Sequence, residues 1–169
     1  YKYNLYCNLL LEKVKDGFIM FLDDDDCLTH NKVLNIINDN LEENKILKWK
    51  FLRPDKIIYS ENNKINLGEI ASCSFIFHNK YKNKSNWIDK KASDYYFFNK
   101  LIKNTKLTNK NYPFILSKTI YNNFIQNHGN NNKIIKNEFI EKDFFNLKNI
   151  FNIKVSDSLI HFKKRFMNL

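Results

Sequence analysis

The chain has 169 residues, enough for one ordinary domain with a hydrophobic core. Its formal charge is +10, yet Arg53 and Arg165 are its only arginines, which argues against a dedicated nucleic-acid interface because arginine commonly supplies the bidentate contacts to phosphate and bases. No signal peptide or run of roughly 20 apolar residues is visible, and the three cysteines have no metal-finger spacing, so we expect a cytoplasmic protein without a transmembrane segment.

The first predicted elements are a helix and a buried strand. Residues 3–15 carry apolar side chains at spacings of three to four, which predicts a helix with one apolar stripe. The stripe consists of Leu5, Leu9, Leu10 and Val14. Gly17 is the expected stop, and the uninterrupted apolar run from Phe18 to Leu22 predicts a strand covered on both faces, as in a parallel sheet between helices. Because the chain begins at Tyr1 inside this helix, we expect an upstream strand to be missing.

Four consecutive carboxylates, Asp23 to Asp26, directly follow the predicted strand. Open α/β sheets bind ligands at the carboxyl ends of their strands, and adjacent carboxylates suit Mg²⁺ or Mn²⁺ with phosphate oxygens completing the coordination. The alternative interpretation is a solvated turn before a helix. An EF-hand loop is excluded, because its sixth and twelfth positions would be Leu28 and Leu34 instead of Gly and Glu.

The middle of the chain continues the α/β pattern. Thr29 or Asn31 is expected to cap a second helix that extends to Leu41. Residues 46–52 alternate between apolar and polar, which predicts a half-buried strand, and residues 57–59 form a possible short strand.

A further core strand is predicted from Glu69 to His78. The small residues Ala71 to Ser74 in its first half either leave room beside a ligand or pack tightly against the sheet. His78 at its end is either a ligand-binding residue or an ordinary surface or core histidine.

The last elements are a helix, a strand and a helical extension. Ser93 is expected to cap the helix that carries Asp94 in its first turn, a position that by itself explains an acidic residue. The strand is predicted from Pro113 to Phe124 and leads into a polar loop containing His128. Residues 133–169 have a helical pattern and are expected to pack on the rest of the chain.

The order of these features resembles the family 2 glycosyltransferases with the GT-A fold. In that family a buried strand ends in Asp-x-Asp-Asp, which the segment from Gly17 to Asp26 matches. The resemblance covers residues 1–132 and implies an α/β fold with a GT-A-like, Rossmann-like mixed sheet flanked by helices. It also implies that the N-terminal part of the nucleotide-binding half is absent, and the missing Gln-x-x-Arg-Trp type of sequence favours non-processive transfer.

The resemblance further implies a chemistry. The expected reaction is metal-dependent, inverting transfer of a hexose from a nucleotide-diphosphate donor, with a UDP-sugar favoured, to a hydroxyl of a glycan, protein or lipid-linked acceptor. Asp23 would lie toward the ribose and the metal, and Asp25 would bind Mn²⁺ or Mg²⁺ bridging the diphosphate. Asp24 would occupy the variable position beside the substrate.

Three more residues are assigned roles by the same resemblance. An acidic residue at the start of a helix, a few residues after a Trp, serves the family as general base. Asp94 and Trp87 match that arrangement, with Trp87 contacting substrate. His128 matches a histidine that often adds a metal or diphosphate ligand.

Two other function classes stay open. The first is another phosphate-handling enzyme, either a haloacid dehalogenase-type phosphatase or a palm-type nucleotidyltransferase. Cys27 counts against the phosphatase pattern, which needs Thr or Val there, and the nucleotidyltransferase predicts nucleic-acid binding with a steep salt dependence. The second is a truncated transferase that binds a glycan or a partner without catalysis.

Overall fold

The computed structural model describes residues 3–62 and 64–120, which form a mixed sheet flanked by helices. The helices are α1 (Tyr3–Lys13), α2 (Val33–Asp39) and α3 (Ser93–Thr105). The strands are β1 (Phe18–Met20), β2 (Asp26–Leu28), β3 (Lys45–Leu52), β4 (Ile57–Ile58), β5 (Phe75–His78) and β6 (Thr108–Thr119). Short 3₁₀ helices occupy Ser72–Ser74 and Asn79–Lys84. The predicted α/β class is therefore confirmed, whereas the finer GT-A assignment stays a prediction.

The sheet has the strand order β1-β5-β3-β6-β2, with β4 also paired to β3. Among the strands that the structure describes, β3 and β6 are the one parallel pair, and the other pairs are antiparallel. The parallel setting expected for the strand before the acidic residues is therefore wrong. This strand, β1, lies at one end of the order and pairs with β5 in the part of the chain that the structure describes.

Helices cover both faces of the sheet, because neighbouring residues of a strand point to opposite sides. On one face, α1 and α3 pack on an aromatic cluster that includes Phe75, Phe77, Trp87, Phe97 and Phe98. On the other face, α2 packs on a mainly aliphatic cluster that includes Val33, Ile37, Leu47, Ile76 and Leu116. The candidate site described below adjoins the aromatic cluster, because Trp87 belongs to both.

Strand β3 is buried on both faces, so its predicted half-exposure is wrong. Lys48, expected on the polar face, is 1% exposed. Its Nζ donates hydrogen bonds to the carbonyl oxygens of Ser60 (2.5 Å) and Asn62 (2.8 Å), which makes burial of the amine tolerable. Burial lowers the pKa of Lys48 to about 8.

Helix α1 is confirmed, but of the apolar stripe only Val14 packs on the aromatic cluster. Leu5, Leu9 and Leu10 are exposed, whereas Leu11 and Asn4 are buried. The reason is a set of hydrogen bonds from the inner face: Asn4 Nδ2 donates to the carbonyl oxygens of Ile88 (3.3 Å) and Lys90 (2.9 Å). These bonds require a polar inner face and turn the leucines outward. Gly17, the expected stop, adopts φ = 80°, a conformation that favours glycine.

The two predicted helix caps are also wrong. Lys32 precedes α2 without a side-chain cap, and Thr29 instead donates its hydroxyl to the Ile115 carbonyl (3.1 Å). Ser93 is the first residue of α3, and Ala92 is the capping residue. The Ser93 hydroxyl is held by the preceding loop, where it accepts a hydrogen bond from the Ile88 N–H (2.9 Å).

Three predicted strands have clearly shifted boundaries, and the first of them, expected from Phe18 to Leu22, already ends at Met20. The core strand expected from Glu69 begins at Phe75, because a 3₁₀ turn occupies the small residues before it. The strand expected from Pro113 begins earlier, at Thr108. The pairing of β6 with β3 jumps from Tyr112 to Ile115, and this irregularity accommodates a proline that cannot donate to the ladder.

Several predictions lie outside the described residues: the end of the last strand after residue 120, the polar loop with His128, and the helical extension at 133–169. Across the described ranges, no helix has the length and apolar character needed to cross a membrane.

Candidate functional site

The acidic run forms a turn between β1 and β2. Asp favours turns, and the chain reverses through a hydrogen bond from the Asp26 N–H to the Asp23 carbonyl (3.1 Å). Asp23 and Asp24 are exposed and Asp25 is partly buried. Strand β2 then continues from Asp26 and pairs with β6. Asp23 is therefore exposed and lies two residues after Phe21, which belongs to the aromatic cluster.

The last carboxylate of the run faces inward. Asp26 Oδ1 accepts a hydrogen bond from the Thr119 hydroxyl (3.0 Å), and its carboxylate also contacts the Cys73 thiol. Burial, with the nearby charges of Asp25 and Asp23 adding to it, raises the pKa of Asp26 to about 6. The four carboxylates are therefore not equivalent, and Asp26 anchors the turn to the sheet.

Asp23 and Asp94 line the same pocket, although they are far apart in the sequence. The pocket has a volume of about 120 Å³. It is lined by Asn4, Cys7, Asp23, Ser72, Trp87, Ala92, Ser93 and Asp94. This volume suits a reacting hydroxyl group and a few waters, while a whole nucleotide would have to extend outside it.

Asp94 is the more enclosed of the two pocket carboxylates. Its Oδ1 accepts a hydrogen bond from the Tyr95 N–H (2.8 Å), as expected in the first turn of a helix. Burial nevertheless raises the pKa of Asp94 to about 6, and the negative charge of Asp23 adds to the rise. Desolvation thus outweighs the helix terminus. The carboxylate is mostly ionised at pH 7 and has a pKa close to it, which is the condition for an effective general base.

Asp23 is held by a neighbouring hydroxyl. Ser72 Oγ donates to Asp23 Oδ2 at 2.7 Å, and Ser72 itself lines the pocket. The small residues from Ala71 to Ser74 were expected either to leave room beside a ligand or to pack tightly. Ser72 lines the pocket, whereas Ala71, Cys73 and Ser74 are buried.

The backbone at the start of α3 is strained. Ala92 has φ = 57° and ψ = 40°, the left-handed conformation that L-residues with a Cβ avoid. The carbonyl of Ala92 accepts from Tyr95 N (3.1 Å), so the strained residue already belongs to the first helical turn. Strain of this kind persists where surrounding contacts enforce it, and it often accompanies functional sites.

Trp87 is a buried aromatic residue in the lining of the same pocket. It is 3% exposed, stacks on Phe97 and contacts Phe21 edge-on, with both centroid distances 4.9 Å. Asn8 fixes its backbone from α1, accepting from the Trp87 N–H (2.8 Å) and donating to its carbonyl (2.9 Å). The indole Nε1 is buried without a hydrogen-bond partner in the described part of the chain.

The sites predicted from sequence are thus only partly assembled. Asp23, Trp87 and Asp94 come together in the pocket, whereas Asp24 and Asp25 are in the adjoining turn and do not line it. Asn4 and Cys7 were missed, because α1 was oriented by its leucines. The polar pair Asn4 and Asn8, spaced four apart on the same face as Cys7, was the available signal.

A divalent cation bound by these carboxylates would need further ligands from water or substrate. Within residues 3–62 and 64–120, no group of three His, Cys, Asp or Glu side chains could hold a metal ion. Mg²⁺ often keeps several waters and is bound through one or two carboxylates plus substrate phosphates. Of the two carboxylates expected to bind the metal, Asp23 is exposed and lines the pocket, whereas Asp25 is partly buried in the adjoining turn.

The third titratable side chain in the pocket lining is Cys7. Burial and the charge of Asp23 raise the pKa of Cys7 to about 11. The thiolate, which is the nucleophile, is therefore scarce at pH 7.

Comparison with known proteins does not add a family to this geometry. No protein-family model matches the chain, and no match is found among curated proteins.

Proposed function

We propose that the chain is a metal-dependent, inverting glycosyltransferase of the hexosyltransferase type with a GT-A-like fold. The observation that carries this proposal is that Asp23, from the turn after β1, and Asp94, from the start of α3, line one pocket. The two carboxylates differ in the way that the reaction requires: one is exposed, and the other is enclosed with a raised pKa.

The proposed donor is a nucleotide-diphosphate sugar, with a UDP-sugar favoured. Asp23 and Asp25 would hold Mn²⁺ or Mg²⁺ together with the donor diphosphate. When bound, the cation supplies Lewis-acid stabilisation of the charge on the departing diphosphate. Ser72 would keep the Asp23 carboxylate oriented through the 2.7 Å hydrogen bond.

Asp94 would act on the acceptor. Its carboxylate would accept the proton of the attacking hydroxyl as the new glycosidic bond forms and the bond between the sugar and the diphosphate breaks. The enclosed position limits competing water, and the pKa of about 6 lets the carboxylate be ionised at pH 7 while staying basic enough to take the proton. Trp87 would support the acceptor side of the pocket with its packed indole.

Sugar transfer tests the proposal. The assay combines the protein, Mn²⁺ and a panel of UDP- and GDP-sugars with glycan and lipid-linked acceptors, and also measures slow donor hydrolysis. The variant Asp94→Asn should lower the rate by roughly 10²- to 10⁴-fold, because it removes the base, with donor affinity nearly unchanged.

The matched control is Asp39→Asn. Asp39 is an exposed carboxylate at the end of α2 and does not line the pocket, so its variant should keep the wild-type rate. Full activity of Asp94→Asn would show that the base assignment is wrong.

A further inference from the structure

Residues 85–92 form the connection that leads into α3, and they contain no helix or strand. Their backbone N–H and carbonyl groups therefore need partners from other parts of the chain. One asparagine of α1 bonds both groups of a single residue: Asn8 Oδ1 accepts from the Trp87 N–H (2.8 Å), and Asn8 Nδ2 donates to the Trp87 carbonyl (2.9 Å). An amide side chain can do this because it carries both an acceptor and donors.

Three further hydrogen bonds hold the same connection. One turn earlier on the same side of α1, Asn4 Nδ2 donates to the carbonyl oxygens of Ile88 (3.3 Å) and Lys90 (2.9 Å). From the other end, the Ser93 hydroxyl accepts from the Ile88 N–H (2.9 Å). The connection is thus bonded to α1 on one side and to the first residue of α3 on the other.

This series of contacts ends one residue before the enclosed carboxylate. Asp94 follows Ser93 directly, and its Oδ1 accepts from the Tyr95 N–H (2.8 Å). Asn8 itself does not line the pocket, whereas Trp87 and Ser93 do. A change at Asn8 therefore reaches Asp94 through the backbone of the connection.

We propose that Asn8 is a positioning residue, which fixes the Asp94 carboxylate through residues 85–92 and Ser93. Asparagine is a poorer helix former than alanine, so its place inside α1 has a small cost that the two bonds to Trp87 offset. The proposal rests on the proposed function only in taking Asp94 as the base, because the fixing of its carboxylate is a property of the fold. The alternative is that Asn8 does no more than hold Trp87 in the aromatic cluster.

Amide hydrogen exchange of the full chain, followed residue by residue by NMR without donor or metal, tests the proposal. The Tyr95 N–H is the reporter, because it donates both to the Asp94 carboxylate and to the Ala92 carbonyl (3.1 Å). Asn8→Ala should accelerate its exchange roughly tenfold, since two hydrogen bonds that hold the connection are lost.

Two variants accompany Asn8→Ala. Ser93→Ala removes the hydroxyl that bonds the connection to α3, and it should accelerate exchange at Tyr95 too, so the test also stands if Asn8→Ala does not fold. The matched control is Asn104→Ala. Asn104 donates from α3 to a backbone carbonyl of the preceding 3₁₀ helix (2.8 Å) but does not line the pocket, so its variant should leave exchange at Tyr95 unchanged.

The enclosure of Asp94 gives a second measurement. NMR titration of its carboxyl carbon should show a pKa of about 6 in wild type and in Asn104→Ala. In Asn8→Ala the pKa should fall towards its ordinary value of roughly 4, because the pocket opens to water. In transfer assays, which rest on the proposed function, Asn8→Ala should lower kcat several-fold with the KM for the donor unchanged.

Wild-type exchange at Tyr95 and an unchanged pKa of Asp94 in Asn8→Ala would overturn the proposal. Faster exchange confined to Trp87 and Ile88 would also overturn it, since Asn8 would then hold only Trp87. Equal acceleration at Tyr95 by Asn104→Ala would do the same, because the effect would follow overall stability. Exchange and titration need neither donor nor metal, so an absence of transfer by the wild-type chain contradicts the proposed function and not this inference.

Discussion

The two ends of α3 carry the same unusual backbone conformation for different reasons. Ala92 at the start and Lys106 at the end are non-glycine residues in the left-handed region, with φ of 57° and 59°. At the end, the Lys106 N–H donates to the Ile102 carbonyl (3.0 Å), which is an ordinary way to terminate a helix. At the start, Ala92 gives no side-chain cap and instead lines the pocket beside Asp94.

The strained residue Lys106 ends a helix, whereas the strained residue Ala92 lies in the pocket lining. Lys106 is exposed, whereas Ala92 is partly buried and followed by the buried Ser93, whose hydroxyl bonds the loop carrying Trp87. The contacts around Ala92 therefore fix the direction in which α3 begins. They also enclose Asp94, and this enclosure raises its pKa.

The largest expected effect on stability concerns the enclosed carboxyl of Asp94. Its pKa is about 6 in the folded protein and near 4 in the unfolded chain, so the folded state binds its proton more tightly. The associated stabilisation is complete below about pH 4 and is lost as the pH rises to about 6. Asp94→Asn should remove this dependence, which amounts to about 2–3 kcal/mol at most.

Urea unfolding at pH 4 to 7, with a chelator present, measures that difference between variant and wild type. Asp26 has a similarly raised pKa and persists in the variant, so some decline with pH should continue. If the free energies of unfolding of Asp94→Asn and wild type changed in parallel with pH, Asp94 would not be enclosed. The two ends of α3 would then not differ in the electrostatic way described here.

A smaller effect is expected from glycine at either strained position. The left-handed conformation costs a residue with a Cβ about 1–2 kcal/mol, while glycine adds about 0.5–1 kcal/mol of chain entropy to the unfolded state. Ala92→Gly and Lys106→Gly should therefore each raise the free energy of unfolding by up to about 1 kcal/mol. Denaturant titration of both variants checks this.

The same two variants distinguish an effect on the orientation of Asp94 from an effect on stability. Ala92→Gly should lower the transfer rate on the order of several-fold, because the start of α3 becomes less constrained and Asp94 less well oriented. Lys106→Gly should leave the rate unchanged. Identical rates in the two variants would mean that the strain at Ala92 has no functional role.

The helices and strands could be predicted from the sequence better than the contacts that they make. The apolar run before Asp23 and the acid in the first turn of α3 were sufficient to predict a strand and a helix, and the structure contains both. The turn at Asp23 to Asp26 had been only the alternative interpretation of the acidic run. The direction of strand pairing was missed, because a continuous apolar run reports burial on both faces and not the orientation of the neighbour. The burial of Lys48 was missed as well. The alternation of polar and apolar residues in this strand does not reveal the carbonyl oxygens of Ser60 and Asn62 that accept hydrogen bonds from its amine.

The pocket was only partly predictable for a related reason. Asp23, Trp87 and Asp94 belong to local motifs, whereas Asn4, Cys7 and Ala92 are pocket residues only through tertiary contacts. Helical periodicity identified α1 and its apolar stripe but not the side that is buried, although hydrophobicity usually decides this. Here the hydrogen bonds of two asparagines decide it.

The most direct test of the central claim is calorimetric titration of UDP and GDP into the protein, with and without Mn²⁺. The proposed site predicts nucleotide binding that depends on Mn²⁺, disappears in Asp25→Ala and is retained in Asp39→Ala, with the preferred nucleotide identifying the donor base. Absence of metal-dependent binding by the wild-type chain, or equal binding by Asp25→Ala, would contradict the donor site and leave the acidic run as a structural turn.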